Sequence, residues 1–210
     1  MTIRIIKDQA DLEKHIKSLI DLEPRFAPVY KQVGLPSLRR NAGGFEQLLR
    51  AIVGQQLSVA AAASIWQRLV DARLTTPHAI TQANDDMLRA QGLSRQKIRY
   101  TRSLVEHDID FSALEQLSDN QVLTTLTAVV GVGRWTAEMY LLFSLGRADI
   151  LAVDDLAIKV AAMNLLDLEE RPTPKQLQTR TQQWSPHRSA ASLLLWSHYG
   201  LVRNKTAIPV

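Results

Sequence analysis

Two glycines separated by one residue, Val130-Gly131-Val132-Gly133, stand between two stretches of helical spacing, the second beginning at Arg134-Trp135-Thr136. Glycine permits a sharp backbone turn, and a helix that starts at once leaves its first N–H groups without intrahelical acceptors. Together with the positive end of the helix dipole, those donors suit a phosphate oxygen. Val132 would pack between the two helices and keep the hairpin closed. A plain helix cap followed by a tight turn would produce the same letters. Further along, Asp154 and Asp155 precede the helical run that opens at Leu156. A carboxylate there caps the helix, is held in place by it and is kept ionised. Upstream, Gln55 and Gln56 follow Gly54 at a junction between two helices, where glutamines could equally do no more than cap a turn.

Arg95, Lys97, Arg99 and Arg102 crowd one helix, and Arg134 and Arg188 flank the other motifs. Such charge suits phosphate contacts, although a basic run is often only a solvated helix face. The 210 residues carry 25 Lys plus Arg against 21 Asp plus Glu, a net charge of +4. With a pI near 9.5 the balance leans toward polyanionic partners. Cysteine is absent, which excludes disulfides, thiolate nucleophiles, cysteine zinc sites and iron–sulfur clusters together. The five His residues show no metal-like spacing and no HExxH pair, so neither a catalytic metal nor a cofactor is expected. No window approaches the ~18 apolar residues of a membrane span, and the opening residues lack the apolar core of a signal peptide. A cytoplasmic protein is expected, with no membrane partner.

The elements that must position these residues read as helices throughout. Leu12, Ile16, Leu19 and Ile20 form one stripe over 8–20, and Phe45, Leu48, Leu49, Ile52 and Val53 form another after the break at 41–44. Ser58, Ser94 and Ser118 stand where N-caps belong, and Thr76-Pro77 and Thr173-Pro174 place proline at a first helical position. The spacing predicts a helix from Arg134 to about Leu145, one from Leu156 to Leu166 and a last one over Ser189–Tyr199. Thr2–Ile6 alternates only partly, and Ile150–Val153 is too short to carry a sheet. The fold class is all-α, with ten to twelve helices expected.

Taken in order, Gly54-Gln55-Gln56-Leu57, the Gly131–Gly133 hairpin, Asp154-Asp155 and Trp184-Ser185-Pro186-His187-Arg188 resemble the helix-hairpin-helix base-excision DNA glycosylases. Within that superfamily the chain is most similar to the DNA-3-methyladenine glycosylase II branch, over roughly residues 43 to 199. The resemblance implies a two-lobed helical fold. One lobe, 44–148, would hold a plug loop and the hairpin; the other, 1–43 plus 149–210, would carry the catalytic aspartate, with the substrate cleft between them.

The resemblance also implies roles. Asp155 matches the catalytic aspartate, which would stabilise the positive charge that builds on deoxyribose as a base departs. Gln56 matches the residue that fills the gap left by an everted nucleotide, with Leu57 as the alternative plug and Gln55 reaching the everted base. Gly131, Val132, Gly133, Arg134 and Thr136 would grip a phosphate, in many relatives through a bound monovalent cation, and Arg188 would contact DNA as well. Trp135, Met139 and Trp184 would line the base pocket, since aromatic faces and thioethers suit an electron-poor alkylated purine. Trp66 and Trp196 lie on apolar helix faces and read as core.

Lyase-competent relatives hold a Schiff-base Lys where this chain has Trp135, so a glycosylase without β-lyase activity is expected. Its partner would be double-stranded DNA containing alkylated bases of the 3-methyladenine and 7-methylguanine type, and a monomer is expected. Two other readings remain at this point: a non-catalytic helix-hairpin-helix DNA-binding module, and a glycosylase for deaminated or oxidised purines.

Overall fold

The computed structural model describes residues 3–206, with side chains described as far as 202. Among these residues there are twelve α-helices. The first six are α1 (Gln9–Leu22), α2 (Phe26–Val33), α3 (Gly44–Gly54), α4 (Val59–Asp71), α5 (Pro77–Gln82) and α6 (Asp85–Ala90). The others are α7 (Arg95–Glu106), α8 (Asp119–Ala128), α9 (Arg134–Met139), α10 (Leu156–Leu165), α11 (Pro174–Arg180) and α12 (Arg188–Thr206). An isolated antiparallel bridge between Ile5 and Arg147 is the only strand-like pairing among the described residues. The expected all-α class is what forms. No helix among the described residues is long and apolar enough to cross a membrane.

The helix starts follow the capping chemistry. Ser58 accepts from Ala61 N–H, Ser94 from Lys97 N–H and Thr76 from Ala79 N–H. Ser118 with Gln121 and Thr173 with Gln176 form complete capping boxes, each satisfying two backbone donors that a bare helix end would leave exposed. Two features depart from the periodicity reading. Helix α2 gives no sequence signal, because Pro24 and Pro28 read as breakers. Pro28 lies in the first turn of α2, where the missing N–H has no acceptor to lose. The helix expected to run from Arg134 to about Leu145 stops being α-helical at Met139 and continues as a π-helical turn, Tyr140–Ser144.

The chain divides into two compact units, residues 1–40 with 141–210 and residues 41–140. In the first, α12 is the central element and packs on α10, α2 and α1. Its core joins Leu12, Ile16 and Leu19 of α1 to Ile158 and Ala162 of α10 and to Leu194 and Leu195 of α12, all fully buried. In the second, α7 is the hub: α3, α5 and α6 pack on it, while α4 lies on α3 and α9 on α8. Leu48, Leu49, Ile52 and Val53 of α3 fill that core together with Val122 and Leu126 of α8. The capped segments before α10 and α12 belong to the first unit; the hairpin before α9 and the turn after α3 belong to the second.

Candidate active site and hairpin

In the first unit, Asp155 is the N-cap of α10, and its Oδ1 accepts the Ile158 backbone N–H at 3.0 Å. The same oxygen accepts the indole N–H of Trp196 from α12 at 3.2 Å. Two donors on one oxygen fix the carboxylate plane, and the group stays half-exposed while Asp154 beside it is exposed. Trp196 in turn stacks on Phe143, with ring centroids 5.9 Å apart and planes inclined by 23°. Phe143 comes from the π-helical turn, which aims its ring where a regular helix would not; such turns recur at functional sites. Trp196 was expected in the core and is instead half-buried against the acid. The missed signal is chemical: an indole on a largely buried helix needs an acceptor for its N–H, and a carboxylate is the strongest one available.

Two expected site residues of this unit make contacts within the chain. Trp184 has no exposed surface, meets Phe26 edge to face with centroids 4.9 Å apart, and donates its indole N–H to Glu23 at 3.4 Å. A side chain sealed in this way cannot stack on an incoming base, so the pocket role read for it is corrected to a core role. The Arg25 guanidinium, at 2.7 Å, holds the Glu23 carboxyl below the ordinary carboxylate range, helped by the Trp184 bond against the effect of burial. Arg188 places its Nε and Nη2 on the two oxygens of Asp149, both at 2.7 Å. Burial pushes the Asp149 carboxyl up, but the bonds from Arg188 and from Ser185 outweigh it and leave the group below its usual value. Arg188 thus clamps the start of α12 with its side chain still 28% exposed.

In the second unit, α8 ends at Ala128 and the hairpin turns over Val129–Val132, closed by Val132 N–H donating to the Val129 carbonyl at 3.0 Å. The two glycines do different work. Gly131 has φ +93°, a conformation that side chains disfavour, and a Cβ there would lie 2.2 Å from the Tyr100 ring. Gly133 has φ −82°, an ordinary value, and a Cβ there would meet nothing within 4 Å. Gly131 is demanded by the turn; Gly133 is demanded by nothing inside the chain, and its bareness leaves the start of α9 open to an approaching ligand. Val132 is buried, as its packing role requires. Thr136 is half-buried in the first turn of α9.

Arg134 is exposed and donates through Nε to Glu138, one turn on and buried, at 2.8 Å. Trp135 is 46% exposed, the exposure a stacking residue needs, and Met139 lies one turn further along α9, half-buried. Gln56 and Leu57 are exposed, and Gln56 has a left-handed backbone, φ +57°. Gln55 is half-exposed. Its Nε2 donates to the Gly131 carbonyl at 2.8 Å, a bond between the turn after α3 and the hairpin.

The basic residues of α7 also divide. Lys97 Nζ donates to the Val53 carbonyl at 2.6 Å, and burial lowers its pKa from the ordinary lysine value. Arg102 donates to the carbonyls of Ile80 and Ala83 and pairs with Asp85. Arg95 and Arg99 face solvent, with Arg99 over the Tyr100 ring. Among the described residues no group of three or more His, Cys, Asp or Glu could hold a metal ion. A monovalent cation at the hairpin would rest on backbone carbonyls. Those of Val129 and Gly131 each accept one hydrogen bond and keep a second lone pair, so the donor set fits such an ion.

Residues 49–187 match the family model of HhH-GPD superfamily base excision DNA repair proteins. DNA-3-methyladenine glycosylase 1 of Schizosaccharomyces pombe is 34% identical over 161 residues, 72% of this chain and 71% of that one. The crystal structure of a DNA-3-methyladenine glycosidase from Bacillus halodurans superposes with a TM-score of 0.83 at 32% identity, covering 98% of this chain and 95% of the other. The Schizosaccharomyces pombe 3-methyladenine DNA glycosylase in complex with abasic DNA gives 0.70 at 32% identity, covering 87% and 95%. The chain belongs to the HhH-GPD superfamily of base excision DNA repair proteins.

Proposed function

We propose that this protein is a monofunctional DNA glycosylase that everts alkylated purines from double-stranded DNA and hydrolyses their N-glycosidic bonds. The observation that carries the reading is Asp155: a half-exposed carboxylate held on one oxygen by Ile158 N–H and by the Trp196 indole, in a chain of this family. Relatives named as 3-methyladenine glycosylases support the alkylpurine substrate class.

The chemistry follows from the leaving group. A purine alkylated at N3 or N7 already bears positive charge and departs without a strong general acid. As the C–N bond stretches, positive charge moves onto the sugar, and a fixed anion beside it lowers the barrier. The same carboxylate can then orient or deprotonate the attacking water. Holding Asp155 by two donors means that little reorganisation is needed when the charge appears. Trp135 supplies an exposed aromatic face for a cationic base and, lacking an amine, cannot form the Schiff base that a lyase step needs. The hairpin from Gly131 to Thr136, with Arg134, would grip the DNA backbone, directly or through a monovalent cation, while Gln56 or Leu57 fills the vacated stack. One chain carries every group that this scheme uses, which supports action as a monomer.

Base release from duplexes that each carry one defined lesion tests the reading. Release of 3-methyladenine or 7-methylguanine is expected, with no protein–DNA adduct trapped by borohydride. Release confined to deaminated or oxidised purines would move the substrate class, and a trapped adduct would end the monofunctional assignment.

A further inference from the structure

The turn after α3 and the hairpin before α9 are built as one object. Helix α3 ends at Gly54, and the next three residues make a tight turn in which Leu57 N–H reaches back to the Gly54 carbonyl at 3.3 Å. Gln56 is left-handed at φ +57°, a conformation that costs a non-glycine residue about 1 kcal/mol and persists only where the surroundings over-determine it. Three residues of α7 at three-residue spacing, Lys97, Tyr100 and Ser103, supply much of that surrounding. Lys97 Nζ holds the Val53 carbonyl at 2.6 Å, the Tyr100 ring covers Gly131, and Ser103 Oγ accepts Val130 N–H at 3.0 Å. Gln55 adds a bond running straight from one loop to the other, Nε2 to the Gly131 carbonyl at 2.8 Å.

We infer that Gln55 is a positioning residue that couples the plug to the phosphate grip. This rests on the function proposed above. Gln55 immediately precedes the left-handed residue that carries the plug, and its acceptor is the peptide that sets the hairpin turn. Fixing that pair fixes the distance between the point where the DNA backbone is held and the point where a side chain enters the base stack. Opening a stacked duplex requires both at once, because a plug that yields relative to the grip pushes the protein instead of the base. A lesion in a single strand has no stack to open, so the coupling matters there far less.

The test compares Gln55→Met, which keeps shape and loses the donor, with Gln55→Glu, which puts a carboxylate against the Gly131 carbonyl. Single-turnover excision is read on one alkylated purine in duplex and in single-stranded DNA, each relative to wild type at the same pH. At pH 8 both variants should excise from duplex about tenfold more slowly, the loss expected for one hydrogen bond, and from single strands within about twofold of wild type. Lowering the pH toward about 4, through the ordinary glutamate range, should bring Gln55→Glu back toward wild type, because its protonated carboxyl regains a donor facing the same oxygen. Gln55→Met should show no such recovery, and recovery of Gln55→Glu also shows that the variant is folded. Equal losses on duplex and single strand, or a Gln55→Glu rate indifferent to pH, would overturn the coupling and leave the glycosylase reading standing. A wild-type protein that releases no base from either substrate would instead remove the glycosylase reading itself.

Discussion

At position 155 one carboxylate oxygen closes a helix and anchors an indole, and the group as a whole is half-exposed. That division of labour gives Trp196 a measurable job. In Trp196→Phe the stack on Phe143 can survive while the N–H donor is lost, so orientation of the acid is affected with little change in packing. A hydrogen bond to a charged group contributes about 1.5–3 kcal/mol, so kcat for base release should fall by one to two orders of magnitude while KM stays within about threefold. A change in KM alone would show that the indole serves the base and not the acid. Position 196 also marks a limit of sequence reading. An aromatic on an apolar helix face looks like core until its polar edge is followed to an acceptor. Trp184 is the mirror case: it sat among motif residues and proved to be core, because its acceptor, Glu23, is itself a buried residue of an early segment.

Among the elements, the hairpin makes the sharpest statement, since its glycines are separable. Gly131→Ala forces a side chain into a left-handed position and against the Tyr100 ring, and should lower unfolding stability by about 2–4 kcal/mol in a urea titration. Gly133→Ala should change stability by less than about 0.5 kcal/mol, because its backbone is ordinary and its surroundings are empty. If a phosphate sits over Gly133, that same variant should bind duplex DNA several-fold more weakly; unchanged affinity would place the phosphate elsewhere.

The clasp between α1 and the start of α12 is a second element with its own signature. His15 and His187 place their Nδ1 atoms 2.8 Å apart, a distance that requires one of the two nitrogens to carry a proton and the other to accept it. Burial lowers both pKa values below the ordinary 6.5; the neighbouring ring adds to this at His15, Arg4 repels a proton at both, and Asp149 opposes the trend. Below pH 6.5 the unfolded chain therefore binds protons that the folded chain refuses, so stability present above that pH is lost as pH falls through the window beneath it. Urea midpoints between pH 7.5 and 5.5 should fall for wild type and flatten in His15→Phe. Parallel slopes would assign the loss to other groups.

For the molecule as a whole, the all-α class and most helix starts were legible because they rest on local rules: N-cap residues, proline at first positions and a 3.6-residue apolar period. The order of the motifs was legible only through the family resemblance. What was illegible depends on distant partners. The stack of Phe143 on Trp196, the α3-to-hairpin bond of Gln55 and the pairing of Arg188 with Asp149 are contacts across tens of residues, which no local pattern encodes. The match of Asp154-Asp155 rests on resemblance; the restraint of Asp155 by Trp196 depends on α10 and α12 lying side by side.

Asp155→Asn isolates the negative charge at position 155. Asparagine caps helices about as well as aspartate, and its Oδ1 can still accept from Ile158 N–H and the Trp196 indole, so fold and DNA binding should persist. Single-turnover release of 3-methyladenine from duplex DNA by this variant is the deciding measurement. A fall of at least about a hundredfold, with affinity for an abasic-site duplex within about threefold of wild type, is the predicted result. A variant that cleaves at nearly the wild-type rate would contradict the claim that this carboxylate stabilises the departing nucleoside.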